Sequence, residues 1–311
     1  MAEWFEVVNH PCREALCFQV HPTSAYPNTR RGSTLSHSNA KMHPSPSHLG
    51  EIMNVKALLI AFVAGLLLTT AAQAQNRALT PVDRQNEWWV NRHAANVEQM
   101  SRGNIDLLLI GDSITHAWDQ HPDLYERFFG ARNPINLGFS GDQTAHVLWR
   151  LENLPLDRIS PKVAMIMIGT NNIGHREGTT PQEAAEGIVA IVQKLQNQYP
   201  GIQIIVLKVF PRDERPDGEL RQRVNEINAA LPALLRRGNQ GTVFLADINR
   251  VFLDRNGILP KEIMDDFLHP GREGYERWGN AVSPFIERAF QRYDRVERRT
   301  QMFPRLRALF R

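Results

Sequence analysis

Residues 163–169 read Val163-Ala164-Met165-Ile166-Met167-Ile168-Gly169, six apolar residues in succession closed by a glycine. A strand buried on one face alternates apolar with polar residues, whereas one buried on both faces reads as an unbroken apolar run. The same signature recurs on either side: 105–110 ends in Gly111, 134–137 in Gly138, 202–210 in Pro211 and 242–246 in Asp247. Between these runs lie stretches of helical period, clearest at 181–199, 219–237 and 271–292. A further helix is expected over 81–103, opened by Thr80-Pro81 as a cap followed by proline in the first turn. Strands alternating with helices predict an α/β domain, a three-layer flavodoxin-like fold with a five-stranded parallel sheet. No repeat and no second domain is evident.

Composition bounds the function. Of 311 residues, 42% are hydrophobic and 22% charged, which excludes a wholly disordered, collagen-like or multi-span membrane chain. Lys plus Arg is 36 against 33 for Asp plus Glu, a surplus too thin to call for nucleic acid as a partner. The two cysteines are Cys12 and Cys17, so nothing beyond them can form a disulfide or a thiolate metal site. No H-E-x-x-H or clustered His/Asp spacing is present, and neither a metal nor a cofactor is expected.

The front of the chain differs from the rest. Residues 21–50 are rich in Pro, Ser, His and Asn and lack any hydrophobic period, so 1–52 is read as an over-extended or disordered segment. Residues 53–74 carry a basic start at Lys56, an apolar run of about a dozen residues and the small-residue end Ala72-Gln73-Ala74, the three parts of a secretory signal peptide. The expectation is a start at Met53, cleavage after Ala74 and a secreted or periplasmic product; the competing reading is an uncleaved anchor. About 237 residues then remain, enough for one sizeable core. The domain is expected over 75–292, followed by a basic tail, 293–311. From Gln291 onward there are seven arginines, interleaved with Phe303, Leu306, Leu309 and Phe310, which would touch an anionic membrane surface or be a frayed terminus.

In parallel α/β sheets ligands bind outside the carboxyl ends of the strands. The segments there are GDSIT (111–115), GFSGDQ (138–143), GTNN (169–172) and, downstream, DFLHP (266–270). Ser113 stands at a strand-to-helix turn, where free N–H groups favour an oxyanion, although Asp112 or Ser113 would equally serve as a helix cap. Thr115 replaces the second glycine of a G-x-S-x-G elbow. A serine needs a base, usually a histidine oriented by a carboxylate, and Asp266 and His269 supply both within one turn. Asp265 is a rival orienter. His116 is a rival base, with no acidic residue in an obvious place to orient it. His93, His121, His146 and His175 read as ordinary surface or helix-face residues. Gly141 offers an unobstructed backbone N–H and Asn171 a side-chain amide, either of which could serve an oxyanion or merely a turn.

Taken together, Ile110–Ser113, Asn136–Asp142, Ile168–Asn172 and Asp266–His269 resemble the four blocks of the GDSL/SGNH hydrolases, nearest to the catalytic subunits of platelet-activating factor acetylhydrolase isoform Ib. The likeness spans 81–290 and includes 146–151 and VLKVFPR at 206–212. It implies Ser113 as nucleophile, Asp266 and His269 completing the triad, and Ser113 N–H, Gly141 N–H and Asn171 as the oxyanion hole. It also favours Asp266 over Asp265. Ser140 departs from the pattern, since eukaryotic relatives usually have glycine there.

The function expected is an exported serine esterase acting on short-chain, chiefly acetyl, esters of carbohydrate or phospholipid. A lysophospholipase-type lipid esterase and a catalytically idle glycan- or lipid-binding member are the alternatives. Ile114 and Leu268, flanking the serine and the histidine in sequence, are expected to wall the acyl pocket. A homodimer is compatible with the resemblance.

Overall fold

Each apolar run becomes a strand that stops where its glycine, proline or aspartate stands. In the computed structural model, which describes residues 76–174, 178–237 and 241–302, the strands are β1 (Leu107–Gly111), β2 (Pro134–Gly138), β3 (Val163–Met167), β4 (Gln203–Leu207) and β5 (Val243–Ala246). They form one parallel sheet in the order β2-β1-β3-β4-β5, the flavodoxin-like order. The register sets Leu109 between Asn136 and Met165, and Gly111 between Gly138 and Met167. Three strand-end loops therefore emerge side by side.

The helices described are α1 (Glu87–Ser101), α2 (Ser113–His116), α3 (Pro122–Phe129), α4 (Thr144–Asn153), α5 (Thr170–Gly174), α6 (Pro181–Gln198), α7 (Glu219–Arg236) and α8 (Arg272–Met302). Alternate strand residues feed two cores. Leu108, Ile110, Ile166 and Val206 pack with Val147, Ile188, Ile191, Val224 and Ile227 of α4, α6 and α7. Leu107, Leu109, Met165 and Leu207 pack with Phe129, Trp278, Val282 and Ile286 of α3 and α8. The three expected layers are present.

Three boundaries differ from expectation, each for a local reason. The first helix starts at Glu87, not Pro81, because the preceding segment is held against the loop after β2 and the first turn of the helix that follows it: Val82 N–H donates to Ala145 O, and Arg84 donates to Ser140 O at 2.7 Å. β4 stops at Leu207, short of residue 210, because the Asn228 side chain takes both polar groups of Val209, accepting from its N–H at 2.8 Å and donating to its carbonyl at 2.9 Å. The last helix runs to Met302, ten residues past the expected end, since no glycine or proline interrupts 285–302. The stretch 293–302 of the expected tail is thus helical.

Among the described residues, no helix is long and apolar enough to cross a membrane. The expected signal segment 53–74, residues 1–52, His175 and residues 303–311 lie outside the described residues.

Candidate active site

Ser113 opens α2 directly after β1. A side chain at Gly111 would lie 2.0 Å from Thr115 Oγ1, and one at Gly138 would lie 2.2 Å from the His116 N–H nitrogen. The two glycines thus let the turn of α2 settle onto the strand ends. Asp112 caps it, its Oδ1 accepting from Ile114 N–H at 3.0 Å. That carboxyl is fully buried and its Oδ2 has no hydrogen-bond partner. Burial pushes its pKa up to about 7, with Asp142 nearby adding to the rise and the Ile114 N–H opposing it.

His269 reaches the serine from the far side of the chain: its Nε2 lies 2.8 Å from Ser113 Oγ. Its Nδ1 lies 2.6 Å from Asp266 Oδ2. Asp266 Oδ1 also accepts from the backbone N–H groups of His269 (2.7 Å) and Leu268 (3.0 Å). Partial burial works against the charge on Asp266, but these three hydrogen bonds outweigh it and hold the carboxyl below its usual range. Asp265 makes no bond to the imidazole. Phe267, between the acid and the histidine, takes φ 57°, which turns the loop sharply enough for Asp266 to bond back to the residues that follow it. Tyr275 of α8 ties this side to α2, its hydroxyl donating to Ile114 O at 2.6 Å.

The donor side is built from the next two loops. Gly141 adopts φ 78°, in the left-handed region that favours glycine, and its N–H finds no acceptor among the described residues. Asn171, in the first turn of α5, donates one amide hydrogen to Asp142 O at 3.0 Å, which fixes its orientation and leaves the second hydrogen over. The structure therefore brings all five expected residues, Ser113, Gly141, Asn171, Asp266 and His269, to one edge of the sheet.

Sequence reasoning missed the residue that organises the donor side. Asp142 is fully buried and accepts from Trp89 Nε1 (2.8 Å), Arg150 Nε (2.9 Å) and Arg84 Nη1 (3.4 Å). It binds α1, α4 and the segment before α1 to the loop that carries Gly141. The available signal was Arg150 on the apolar face of α4, since a buried guanidinium needs a buried carboxylate.

The rival base His116 is engaged elsewhere. Its Nδ1 lies 2.9 Å from Ser140 Oγ. Contrary to expectation an acidic residue does stand by it, for Asp119 Oδ2 lies 3.9 Å from Nε2, brought round by the 3-10 turn Ala117–Gln120 that continues α2. Asp119 is itself held by Arg92 (2.8 Å) and Asn136 (2.7 Å). Burial, with help from Arg92, keeps the His116 pKa below the ordinary value. His93 stacks on Trp89, His121 lies against Tyr275, and His146 accepts the Gln143 N–H in a capping box. The two expected pocket walls are unequal. Ile114 is 1% exposed and packs in the core beneath the serine, whereas Leu268 is half-buried at the surface of the same core. No group of three or more His, Cys, Asp or Glu side chains suited to a metal occurs among the described residues.

This arrangement can move a proton from a hydroxyl to an imidazole, with the Gly141 N–H and an Asn171 amide hydrogen left unbonded among the described residues on the neighbouring strand-end loops, which suits acyl-transfer chemistry. The family model for the GDSL-like lipase/acylhydrolase family matches residues 109–277. Platelet-activating factor acetylhydrolase IB subunit alpha2 of Rattus norvegicus is 36% identical over 189 residues, 61% of this chain and 79% of that protein. The alpha1 subunit of Homo sapiens is 34% identical over 187 residues, 60% and 78% of the two chains. Among solved structures, a GDSL-like lipase from Bacteroides thetaiotaomicron superposes with TM-score 0.52 at 21% identity, covering 65% of this chain and 97% of its own, a likeness of fold.

Proposed function

Since the chain belongs to the GDSL-like lipase/acylhydrolase family and is a serine ester hydrolase, we propose that it cleaves short-chain esters, acetyl above all, with Ser113, His269 and Asp266 as its triad. The observation that carries this reading is the unbroken line from Ser113 Oγ through His269 to Asp266, 2.8 and 2.6 Å long. Ser113 Oγ attacks the ester carbonyl as its proton passes to His269 Nε2. Asp266 holds the proton on Nδ1 and stabilises the imidazolium without taking the proton itself. Ser113 N–H, Gly141 N–H and the second Asn171 amide hydrogen receive the oxyanion. Collapse expels the alcohol, which takes the proton from Nε2 and leaves an acyl-serine; water, activated by the same imidazole, then releases the acid.

The substrate is a small ester, an acetylated carbohydrate or a phospholipid. The order of basic start, apolar run and A-x-A end over 53–74 supports export with cleavage after Ala74, and a secreted or periplasmic place of action.

Hydrolysis of p-nitrophenyl acetate tests the assignment. Ser113→Ala and His269→Ala each remove about 10⁶ of kcat if the triad acts as a unit, and Asp266→Asn about 10⁴. Full activity in His269→Ala together with its loss in His116→Ala would transfer the base to His116. A wild-type protein without turnover but with ligand affinity would be the idle, binding-only member.

A further inference from the structure

Beside the loop that carries Ser140 and Gly141 lies a group of side chains that the esterase mechanism does not use. Trp88 of α1 is 41% exposed, unusual for an indole, while its neighbour Trp89 is wholly buried. The His116 ring lies 6.0 Å from the Trp88 ring with planes 17° apart, and the Arg84 guanidinium lies 5.5 Å from the same ring. Both neighbours connect this indole to the donor side of the site. His116 bonds the Ser140 hydroxyl, and Arg84 bonds the Ser140 carbonyl. A Cβ placed on Gly141 would lie 3.1 Å from Arg84 Nη1, so the guanidinium stands directly against the oxyanion glycine.

We propose that Trp88, Arg84 and His116 form a subsite for the sugar ring of an acetylated carbohydrate, one residue from the oxyanion donor Gly141. This deepens the esterase reading and rests on it. A pyranose presents an apolar C–H face and a rim of hydroxyls, and so matches an indole bordered by hydrogen-bonding groups. Arg84 commits one amino group to Ser140 and Asp142, and its other amino group bonds no described residue. The chemistry decides against the alternatives. A quaternary ammonium headgroup would be repelled by the Arg84 charge beside the ring. A long acyl chain would need a continuous apolar groove, and here a guanidinium and an imidazole stand beside the indole.

The test compares kcat/KM for the tetraacetate of methyl glucoside with that for ethyl acetate, followed by pH-stat, in wild type, Trp88→Ala and Trp88→Phe. Trp88 is exposed, so its truncation leaves no core cavity, which a thermal melt verifies. The expected result is a fall of about tenfold in the sugar-to-ethyl ratio for Trp88→Ala, carried by KM, with most of the ratio kept in Trp88→Phe. An unchanged ratio in Trp88→Ala overturns the subsite. So does a wild type that cleaves ethyl acetate but not the sugar ester, which leaves the esterase reading intact. Absence of turnover on both esters overturns the esterase reading and the subsite with it. A Trp88→Ala loss specific to dispersed phospholipid would make the patch a lipid site and overturn the sugar assignment.

Discussion

The backbone N–H of Asp213 donates to the carbonyl of Phe267 at 3.1 Å, and both residues hold left-handed backbone, φ 61° and 57°. The loop that leaves β4 thus buttresses the loop that carries Asp266 and His269. It is fastened in turn by α7: Asp213 Oδ2 accepts from the N–H groups of Leu220 (2.9 Å) and Arg221 (3.2 Å). The buried Arg221 guanidinium donates to the carbonyls of Arg212 (2.7 Å), Asp213 (2.6 Å) and Gly257 (3.2 Å). Two left-handed non-glycine residues persist here because surrounding bonds hold them.

Asp213→Ala is expected to destabilise the protein by about 2–3 kcal/mol, the sum of a lost helix cap and an alanine forced to positive φ. Asp213→Asn keeps an acceptor and tolerates the left-handed region, so it should cost less than about 1 kcal/mol. Chemical denaturation of the two variants checks the difference. Equal losses would show that the charge, not the geometry, matters.

Asn171→Ala is expected to lower kcat by about 10²–10³ with little change in KM, because the amide hydrogen left over by Asp142 serves the oxyanion and not the ground state. Steady-state kinetics on p-nitrophenyl acetate decide this. A raised KM at constant kcat would make Asn171 a ground-state binder.

Asp112 gives a stability signature. Its folded pKa of about 7 lies above the ordinary aspartate value, so between about pH 4 and 7 the native state keeps a proton that the unfolded chain has lost. Stability therefore falls as pH rises through this window, by on the order of 4 kcal/mol in total, and the loss is complete above it. His93, His116 and His146, whose pKa values burial lowers, pull the opposite way near their ordinary range. The quantity to measure is thus the difference in unfolding free energy between wild type and Asp112→Asn from pH 4 to 8. It should drift steadily in favour of the variant as pH rises, since the amide keeps the acceptor for Ile114 N–H and cannot ionise. A flat difference would mean that Asp112 titrates as an ordinary carboxyl.

Leu268→Ala is expected to raise the butyrate-to-acetate ratio of kcat/KM. An apolar pocket discriminates each methylene by about 1–3 kcal/mol, so wild type should prefer acetate to butyrate by tens to hundreds of fold. Leu268 is the wall to cut because it is partly exposed, whereas Ile114 is packed in the core and its truncation would chiefly cost stability. Wild type that hydrolyses octanoate as fast as acetate would end the short-chain proposal.

How much of this could be read in advance follows the range of the forces involved. The five strands were legible because burial on both faces leaves a local mark, an apolar run with a breaker at its end. Ser113, Gly141, Asn171, Asp266 and His269 could be picked out as candidates because each stands at such an end or in a short motif, while the preference for Asp266 over Asp265 came from the resemblance and not from spacing. Asp142 was not, since Arg84 and Trp89 reach it from 58 and 53 residues upstream with no motif to relate them, and Arg150 on the apolar face of α4 was the one local hint. The start of α1 was misplaced for the same reason: Thr80-Pro81 is a sound local helix signal, but Arg84 is drawn into a contact 56 residues away. Charged residues disguised the last turns of α8, where only the absence of a breaker before Pro304 marked the continuation.

All five strands run the same way, and this has a practical corollary. The turns entering β1, β2, β3 and β4, at 102–106, 130–133, 154–162 and 199–202, open on the opposite rim from Ser113 and contribute none of the residues assigned to the site. Lys162 sits there, partly exposed and paired with Asp106 at 3.1 Å. That rim is the place for a surface tether, an affinity tag or new chain termini. Enzyme immobilised through it would present its mouth to the solution, and a fusion partner inserted there would leave substrate entry unobstructed.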